Sequence, residues 1–197
     1  FILDGRPGFK SSLKKEKIKV KFIPVKKKIY IDKNTWVYGC LHEYNDIDSS
    51  MVISNNNLSV YHGNDNFITE KTLIPFKKKV GHIDVACVPF AYINYYPYLL
   101  NGISKKLSRL EATRIESLFM DYGIKQTKIL KPKIVIPFGS NLFHLDDPNC
   151  DMNKGVATPV DFVNYAKIHH KSKSNTYKTM LSGSFCIKKD NKMKKFY

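Results

Sequence analysis

Two short polar clusters contain the residue types that most often bind metal ions in proteins. They span residues 40–50 and 62–66, and an Asn-rich turn at residues 55–57 lies between them. Because that turn lets the flanking strands form a hairpin, the two clusters can meet at one end of the strands. Imidazole nitrogens and carboxylate oxygens bind zinc or iron at about 2.0–2.2 Å. The residue types therefore make Asp65 a candidate metal ligand, together with the imidazoles of His42 and His144.

The second cluster can also be interpreted as a simple turn. Its residues read Gly63-Asn64-Asp65-Asn66. Glycine, asparagine and aspartate tolerate left-handed backbone and form the hydrogen bonds of their own turns. Residue types and spacing alone favour the turn over the metal site.

A tyrosine-rich segment follows the apolar run that ends near residue 89. Tyr92 and Tyr95 are candidates for substrate binding, as are the neighbouring Tyr96 and Tyr98. Each offers an apolar ring face and a hydroxyl group to a ligand. Tyrosines are also common at the half-buried boundary of a core, so packing is the competing interpretation.

The common motifs of nucleotide-binding proteins and hydrolases are absent from the sequence. It contains no G-x-x-x-x-G-K-[ST], no G-x-G-x-x-G, no H-E-x-x-H and no G-x-S-x-G. The four cysteines are far apart and form no C-x-x-C pair, which argues against a cysteine zinc site or a thiol redox site. We expect a reduced, cytoplasmic protein, since no signal peptide and no run of about 18 apolar residues is present.

The composition is that of a globular protein with a large positive charge. Hydrophobic residues make up 43% of the 197 residues, and 33 basic residues against 17 acidic ones give a net charge of +16. Such a charge attracts nucleic acid, anionic lipid or phosphate at long range. Almost all of the basic residues are lysines, and an A+T-rich genome would produce the same bias. The scarcity of arginine argues against a reader of base edges.

The first third of the chain predicts antiparallel strands. Residues 17–22 alternate strictly between lysine and an apolar residue, which predicts a half-exposed strand with Ile18, Val20 and Phe22 facing inward. Asp, Asn and Gly signals separate the further predicted strands. These strands cover residues 28–31, 35–38, 51–54 and 58–62.

The remainder predicts a strand, helix, strand unit followed by a last helix. Residues 83–89 and 134–137 are apolar runs typical of buried strands. Between them, a helix is predicted from the cap at Ser104 to about Tyr122, with Gly123 as its stop and Leu110, Leu118 and Phe119 against the sheet. Thr158-Pro159 predicts the start of another helix to about His169. Residues 1–170 are expected to form the domain, and residues 171–197 a Lys-rich tail.

Three blocks of sequence resemble the metallo-β-lactamase-fold superfamily. They are residues 48–53, residues 58–65 and residues 131–139, the last continuing through Phe143-His144 to Thr158-Pro159. The branch they resemble contains the CMP-N-acetylneuraminate hydroxylases and the N-acyl-phosphatidylethanolamine phospholipases D. Similarity covers residues 35 to 165, which corresponds to the C-terminal half of that domain. The implied fold is α/β, one half of an αβ/βα sandwich, with mostly antiparallel strands first and then a strand, helix, strand unit.

The resemblance implies a partial metal site. In such proteins the aspartate of the Asn-Asp pair binds the metal, which assigns that role to Asp65. Another ligand precedes the Asp-Ser-Ser strand, which indicates Asp46, Asp48 or His42, and His144 is a displaced substitute for the last histidine. The principal metal motif of the family, H-x-H-x-D-H, is absent because it belongs to the missing N-terminal half.

The function implied by the resemblance is that of a metal-dependent hydrolase. Metal-activated water would attack an ester or phosphodiester of a small-molecule or lipid substrate, with zinc or iron as the cofactor. The domain is expected to be incomplete without its N-terminal half. Hydroxylation would require an iron–sulfur domain, for which no Cys/His pairs are present. The alternative is a noncatalytic basic protein that binds nucleic acid or anionic lipid through its lysines.

Overall fold

The computed structural model describes residues 2–3, 8–19, 22–44, 48–91, 96–139, 153, 156–170, 176–180, 184–189 and 192–196. The helices are α1 (Phe9–Lys15), α2 (Glu70–Val80), α3 (Lys105–Leu130) and α4 (Pro159–His169). The first strands are β1 (Ile2–Leu3), β2 (Phe22–Ile23), β3 (Lys28–Tyr30), β4 (Trp36–Leu41), β5 (Ser49–Ser54) and β6 (Ser59–His62). The later strands are β7 (Val85–Pro89), β8 (Ile134–Phe138), β9 (Thr176–Tyr177), β10 (Phe185–Lys189) and β11 (Lys192–Phe196).

A mixed seven-stranded sheet organises the molecule. Its order is β3-β4-β5-β6-β7-β8-β9, antiparallel from β3 to β6 and parallel from β6 to β9. The connection from β7 through α3 to β8 is the predicted strand, helix, strand unit. The predicted α/β class, with antiparallel strands first, is therefore confirmed.

One face of the sheet carries the main core. The core side chains of neighbouring strands stand in register, as in the row Tyr38, Val52, Tyr61, Ala86 and Val135. Helices α2, α3 and α4 contribute Leu73, Phe76, Val80, Met120, Ile124, Leu130, Phe162 and Ala166 to the same cluster. A sheet with helices on this one face is the arrangement expected for half of an αβ/βα sandwich.

The opposite face of the sheet is apolar as well. Side chains alternate between faces along a strand, so the neighbours of the core residues point the other way. They form the in-register rows Val37, Ile53, Val60, Val85, Ile134 and Gly39, Met51, His62, Cys87, Ile136. Val37, Val85 and Ile134 are buried, whereas Ile53 is 46% exposed and Phe138 is 38% exposed. A sheet that is apolar on both faces normally packs against a layer on each side.

Helix α3 differs from its predicted extent. It runs 26 residues from Lys105 to Leu130 and does not stop at Gly123. Gly123 is buried inside the helix, where an added Cβ would lie 2.8 Å from the Phe162 ring and 3.0 Å from the Pro89 carbonyl oxygen. The glycine is therefore a close-packing position rather than a helix stop. The predicted cap is correct, because Ser104 accepts a hydrogen bond from the Leu107 amide.

The predicted inner face of α3 is wrong in part. Leu110 is 61% exposed and Leu118 is 41% exposed. The buried positions are instead Ser108, Ile115, Met120, Gly123, Ile124, Gln126, Thr127 and Leu130. The error has a physical cause: residues 123–130, which the prediction left out, contribute five of these eight buried positions.

The predicted strand at residues 17–22 is also wrong over its described part. Lys17 follows α1 with a left-handed backbone (φ 54), and Ile18 is 52% exposed. Only Phe22 belongs to a strand, the short β2, and Val20 lies outside the described residues. Alternating polar and apolar residues over a short stretch favour a strand, but a strand forms only where a neighbouring strand is available for pairing.

Helix α2 was not predicted from the sequence. Its lysine run and the internal Pro75 hide the apolar positions Leu73, Phe76 and Val80, which are buried. Helix α4 begins as predicted, with a capping box between Thr158 and Asp161 and a proline in its first turn. Among the described helices, none is long and apolar enough to cross a membrane.

Candidate functional site

The two polar clusters lie at one end of the strands, across the middle of the sheet. We call this row of strand ends the site edge. It is the edge at which β6, β7 and β8 have their carboxyl ends, and the end of β4 and the start of β5 lie there as well. Loops at the carboxyl ends of parallel strands are where open α/β sheets usually bind ligands. The predicted meeting of the clusters at one end of the strands is consistent with this topology.

His62 and Asp65 form one half of the site edge. The His62 ring lies on the sheet face opposite the helices, with its centroid 4.4 Å from that of Phe138. Asp65 reaches the end of β8, where its Oδ1 would lie 3.5 Å from a Cβ added at Gly139. Burial lowers the pKa of His62, and the nearby Asp65 carboxylate opposes that shift. His62 thus tends to be neutral, the form that binds metals.

His42 and Asp48 form the other half. The His42 amide donates to the Asp48 carbonyl oxygen at 2.9 Å, which closes the loop between β4 and β5. His42 Nδ1 accepts a hydrogen bond from the Tyr44 amide at 3.1 Å. Because Nδ1 accepts this hydrogen bond, the neutral ring carries its proton on Nε2. Binding of a metal ion through Nε2 would therefore require the other tautomer and the loss of this hydrogen bond.

The loop that carries Asp65 is packed tightly against β7. The Gly63 amide donates to the Cys87 carbonyl oxygen at 2.8 Å, and an added Cβ at Gly63 would lie 2.6 Å from Pro89 Cδ. Asn64 has a left-handed backbone with φ 50. The turn interpretation of residues 63–66 is therefore correct as a description of the backbone, and it is compatible with a ligand role for the Asp65 side chain.

A buried polar network holds both ends of this loop. Ser50 Oγ donates to the Gly63 carbonyl oxygen at 3.0 Å. The Tyr61 hydroxyl lies 3.1 Å from Ser50 Oγ and 3.2 Å from Gln126 Oε1. Gln126 Nε2 donates to the Asn66 carbonyl oxygen at 3.3 Å. Because the three side chains of this network are buried, the backbone on both sides of Asp65 is fixed from the core.

Asn66 ties the same loop to β4. Its Nδ2 donates to the Cys40 carbonyl oxygen at 3.3 Å. Its Oδ1 is buried and has no hydrogen-bond partner within the described part of the chain. A buried acceptor without a partner costs free energy of folding, and such groups often mark functional positions.

A cavity of about 440 Å³ adjoins His42. Glu43 lies in its wall and accepts hydrogen bonds from the Thr69 amide at 2.9 Å and from the Thr69 hydroxyl at 2.7 Å. Burial raises the pKa of Glu43, but the hydrogen bonds from Thr69 and Thr72 outweigh it, so the pKa is lowered on balance. The cavity is lined by Val25, Lys26, Leu41, His42, Glu43, Tyr44, Thr69, Lys71 and Thr72.

The described residues do not form a metal site by themselves. No group of three or more His, Cys, Asp or Glu side chains able to hold a metal ion occurs among them. Four of the predicted site residues lie outside the described part of the chain, namely Asp46, His144, Tyr92 and Tyr95. The described ligand candidates His42, Asp48 and Asp65 share the site edge but do not converge on one point.

Sequence reasoning missed several residues that shape this edge. His62 belongs to the second cluster, but its position as the last residue of β6 was not used to select it. Ser50, Tyr61 and Gln126 were not identified either, because their contacts connect distant parts of the sequence. Only Ser50 had a local signal: it is a polar residue in β5 on the same face as the buried Val52.

Comparisons with known proteins identify the fold. No family model matches the sequence, and no curated protein matches it. Among solved structures, CmlA, a diiron β-hydroxylase from Streptomyces venezuelae, is 14% identical over 89% of this chain and 36% of that chain, with a TM-score of 0.55. A mutant of CmlA gives 15% identity and a TM-score of 0.56, covering 89% and 35% of the two chains.

Proteins of the metallo-β-lactamase superfamily also occur among the similar structures. One from Thermotoga maritima is 16% identical over 83% of this chain and 74% of that chain, with a TM-score of 0.45, which is too low to establish a common fold. This chain spans about a third of the length of CmlA. It therefore shares the fold of the matched part of CmlA.

Proposed function

We propose that this chain is the C-terminal half of a metallo-β-lactamase-like domain and belongs to a metal-dependent hydrolase. Its substrate would be an ester or phosphodiester of a small molecule or lipid. The observation that carries the proposal is the common site edge. His62 and Asp65 at the end of β6, and His42 and Asp48 between β4 and β5, lie along it.

A metal site at the site edge would need ligands from outside the described residues. Zinc and iron sites usually need three or four protein ligands. The described residues provide fewer than three at any one point. We therefore propose that Asp46 and His144, together with a preceding half, complete the site. CmlA is a diiron enzyme, so iron is as good a candidate as zinc.

The second sheet face supports a preceding half as well. On this face Ile53 and Phe138 are exposed, whereas Val37, Val85 and Ile134 are already buried. Burying apolar surface contributes about 25 cal/mol per Å², so a second sheet packed here would be stabilised. The same packing would place new side chains beside His62, which lies on that face.

The test is hydrolysis by the protein extended through the codons that precede Phe1. Bis(p-nitrophenyl) phosphate and p-nitrophenyl acetate would be the substrates, with Zn²⁺ or Fe²⁺ added after removal of metal by a chelator. We expect release of nitrophenol that requires the metal and is lost in His62→Ala. Turnover that persists without metal, or no turnover of either substrate with either metal, would contradict the proposal.

A matched control separates the site from general damage. His82→Ala removes an imidazole at the other end of the strands, beyond the site edge. We expect it to leave turnover within about twofold of the unaltered protein, because it does not approach the candidate ligands. Equal losses in His62→Ala and His82→Ala would show that the site edge has no special role.

A further inference from the structure

The opposite end of the strands, where the three helices end, is strongly basic. We call this region the basic edge. Helices α2, α3 and α4 each follow a strand that ends at the site edge, so all three end at the basic edge. The basic edge consists of residues 77–84, 128–133 and 167–170. Together these segments carry seven lysines, three histidines and one aspartate.

Helix termini account for only part of this charge. A helix C-terminus carries about half a negative charge, which favours lysine in the last turn. Three such ends offset roughly 1.5 positive charges in total. Asp84 offsets one more, since it is buried and paired with the Lys133 Nζ at 3.1 Å. More than half of the lysine charge of the basic edge is therefore left over.

Two of these cations are each affected by a neighbouring lysine. Burial lowers the pKa of Lys77, and the nearby Lys131 ammonium lowers it further. Burial likewise lowers the pKa of His170, and Lys128 adds to that shift. Lys77 also donates to the Gly81 carbonyl oxygen at 2.6 Å, which holds its ammonium at the end of α2. Crowding of like charges costs free energy in the absence of a partner, and an anionic partner relieves it.

We propose that the basic edge is a docking surface for the phosphate backbone of a nucleic acid. Lysine is a flexible point charge that suits phosphate contacts, whereas arginine is the usual reader of bases. No arginine is present in residues 77–84, 128–133 or 167–170, so the binding is expected to be independent of sequence. The surface is separate from the candidate metal site, and its use does not depend on the proposed hydrolase activity.

The test is binding of a fluorescein-labelled 20-base-pair DNA duplex, followed by fluorescence anisotropy at 50 to 200 mM NaCl. The edge variant combines Lys78→Gln, Lys79→Gln and Lys128→Gln, all of which are exposed. The matched control combines Lys14→Gln, Lys15→Gln and Lys27→Gln, which removes the same charge elsewhere. We expect the edge variant to bind at least fivefold more weakly, and its plot of log K against log[NaCl] to be less steep by about two to three.

Several results would overturn the proposal. One is a control variant that weakens binding as much as the edge variant does. Another is no binding of the duplex at 50 mM NaCl by the unaltered chain. A third is selective binding to phosphatidylserine vesicles, lost in the edge variant, without binding to DNA, which would identify a membrane surface as the partner instead. Circular dichroism spectra that match across the variants would confirm that folding is intact in each comparison.

Discussion

At the scale of single residues, the loop that carries Asp65 is defined by groups that do not belong to it. Ser50 holds the Gly63 carbonyl group and Gln126 holds the Asn66 carbonyl group, and Tyr61 lies between the two side chains. The turn residues permit the loop conformation, but the buried network selects it. The backbone that carries Asp65 is therefore ordered before any ligand binds, which reduces the entropy lost on binding.

We expect Tyr61→Phe to destabilise the protein by about 1–3 kcal/mol, because Gln126 Oε1 would stay buried without a donor. Equilibrium unfolding in urea would measure the change. Tyr30→Phe is the matched control, since Tyr30 is 61% exposed and should change stability by less than about 0.5 kcal/mol. Equal effects in the two variants would mean that the network does not hold the loop.

Glu43 gives a second prediction, which concerns how the stability of the folded protein changes with pH. Its pKa is lowered from the ordinary value of 4.5, so its stabilising hydrogen bonds are fully present above that value. They are lost as the pH falls through the lowered pKa. We expect Glu43→Gln to be less stable than the unaltered protein at pH 7, with the difference shrinking towards pH 3.

The measurement is urea unfolding of both proteins across that pH range. Glu70→Gln serves as the control, because Glu70 also lies at the start of α2. A Glu43→Gln penalty that stays constant down to pH 3 would contradict the role given to the ionised carboxylate. So would a Glu70→Gln penalty at pH 7 as large as that of Glu43→Gln.

At the scale of the elements, helix α3 determines how the core is closed. Its C-terminal half packs on β7 and α4 around the buried Gly123, while Leu107, Leu110 and Leu118 remain exposed. Helical periodicity identified the helix, but two apolar stripes were available, and only contact with the sheet decides between them. The stripe that contains Ile124 is the one that contacts the core.

Alanine substitutions distinguish the two stripes. Ile124→Ala should cost about 2–5 kcal/mol in the free energy of unfolding, because it leaves a cavity in the core. Leu118→Ala should cost less than about 1 kcal/mol, because that side chain is 41% exposed. Urea unfolding of the two variants would measure both values. A larger loss for Leu118→Ala than for Ile124→Ala would show that the helix is rotated relative to this description.

At the scale of the whole molecule, the sequence predicted the sheet better than the site. Strands β5, β6, β7 and β8 were located within one or two residues, because apolar runs with clear turn signals are strong local patterns. The α/β class and the crossover through α3 followed from their order. The position of Asp65 in the loop that follows β6 was also predicted, since Gly63 and Asn64 mark the end of the strand.

The remainder depends on contacts between distant residues. Gly123 has the sequence signature of a helix stop, and only the approach of Phe162 and Pro89 shows why it lies inside a helix. The pairing of Tyr61 with Gln126 depends on the position of α3 over the sheet. Helix α2 was missed because the lysines that surround its apolar positions resemble a solvated segment. Such features are fixed by packing and not by local pattern.

The central claim is that Asp65 contributes to a metal site that a preceding half completes. Isothermal titration with Zn²⁺ tests it on the chain alone and on the protein extended through the codons before Phe1. We expect weak binding to the chain alone and at least tenfold tighter binding to the extended protein, because ligand number and geometry set the affinity of a metal site. Asp121→Asn, an exposed change of the same type, should leave that affinity unaltered. Asp65→Asn should abolish the gain while the fold stays intact, whereas unchanged affinity in Asp65→Asn would show that Asp65 is only a turn residue.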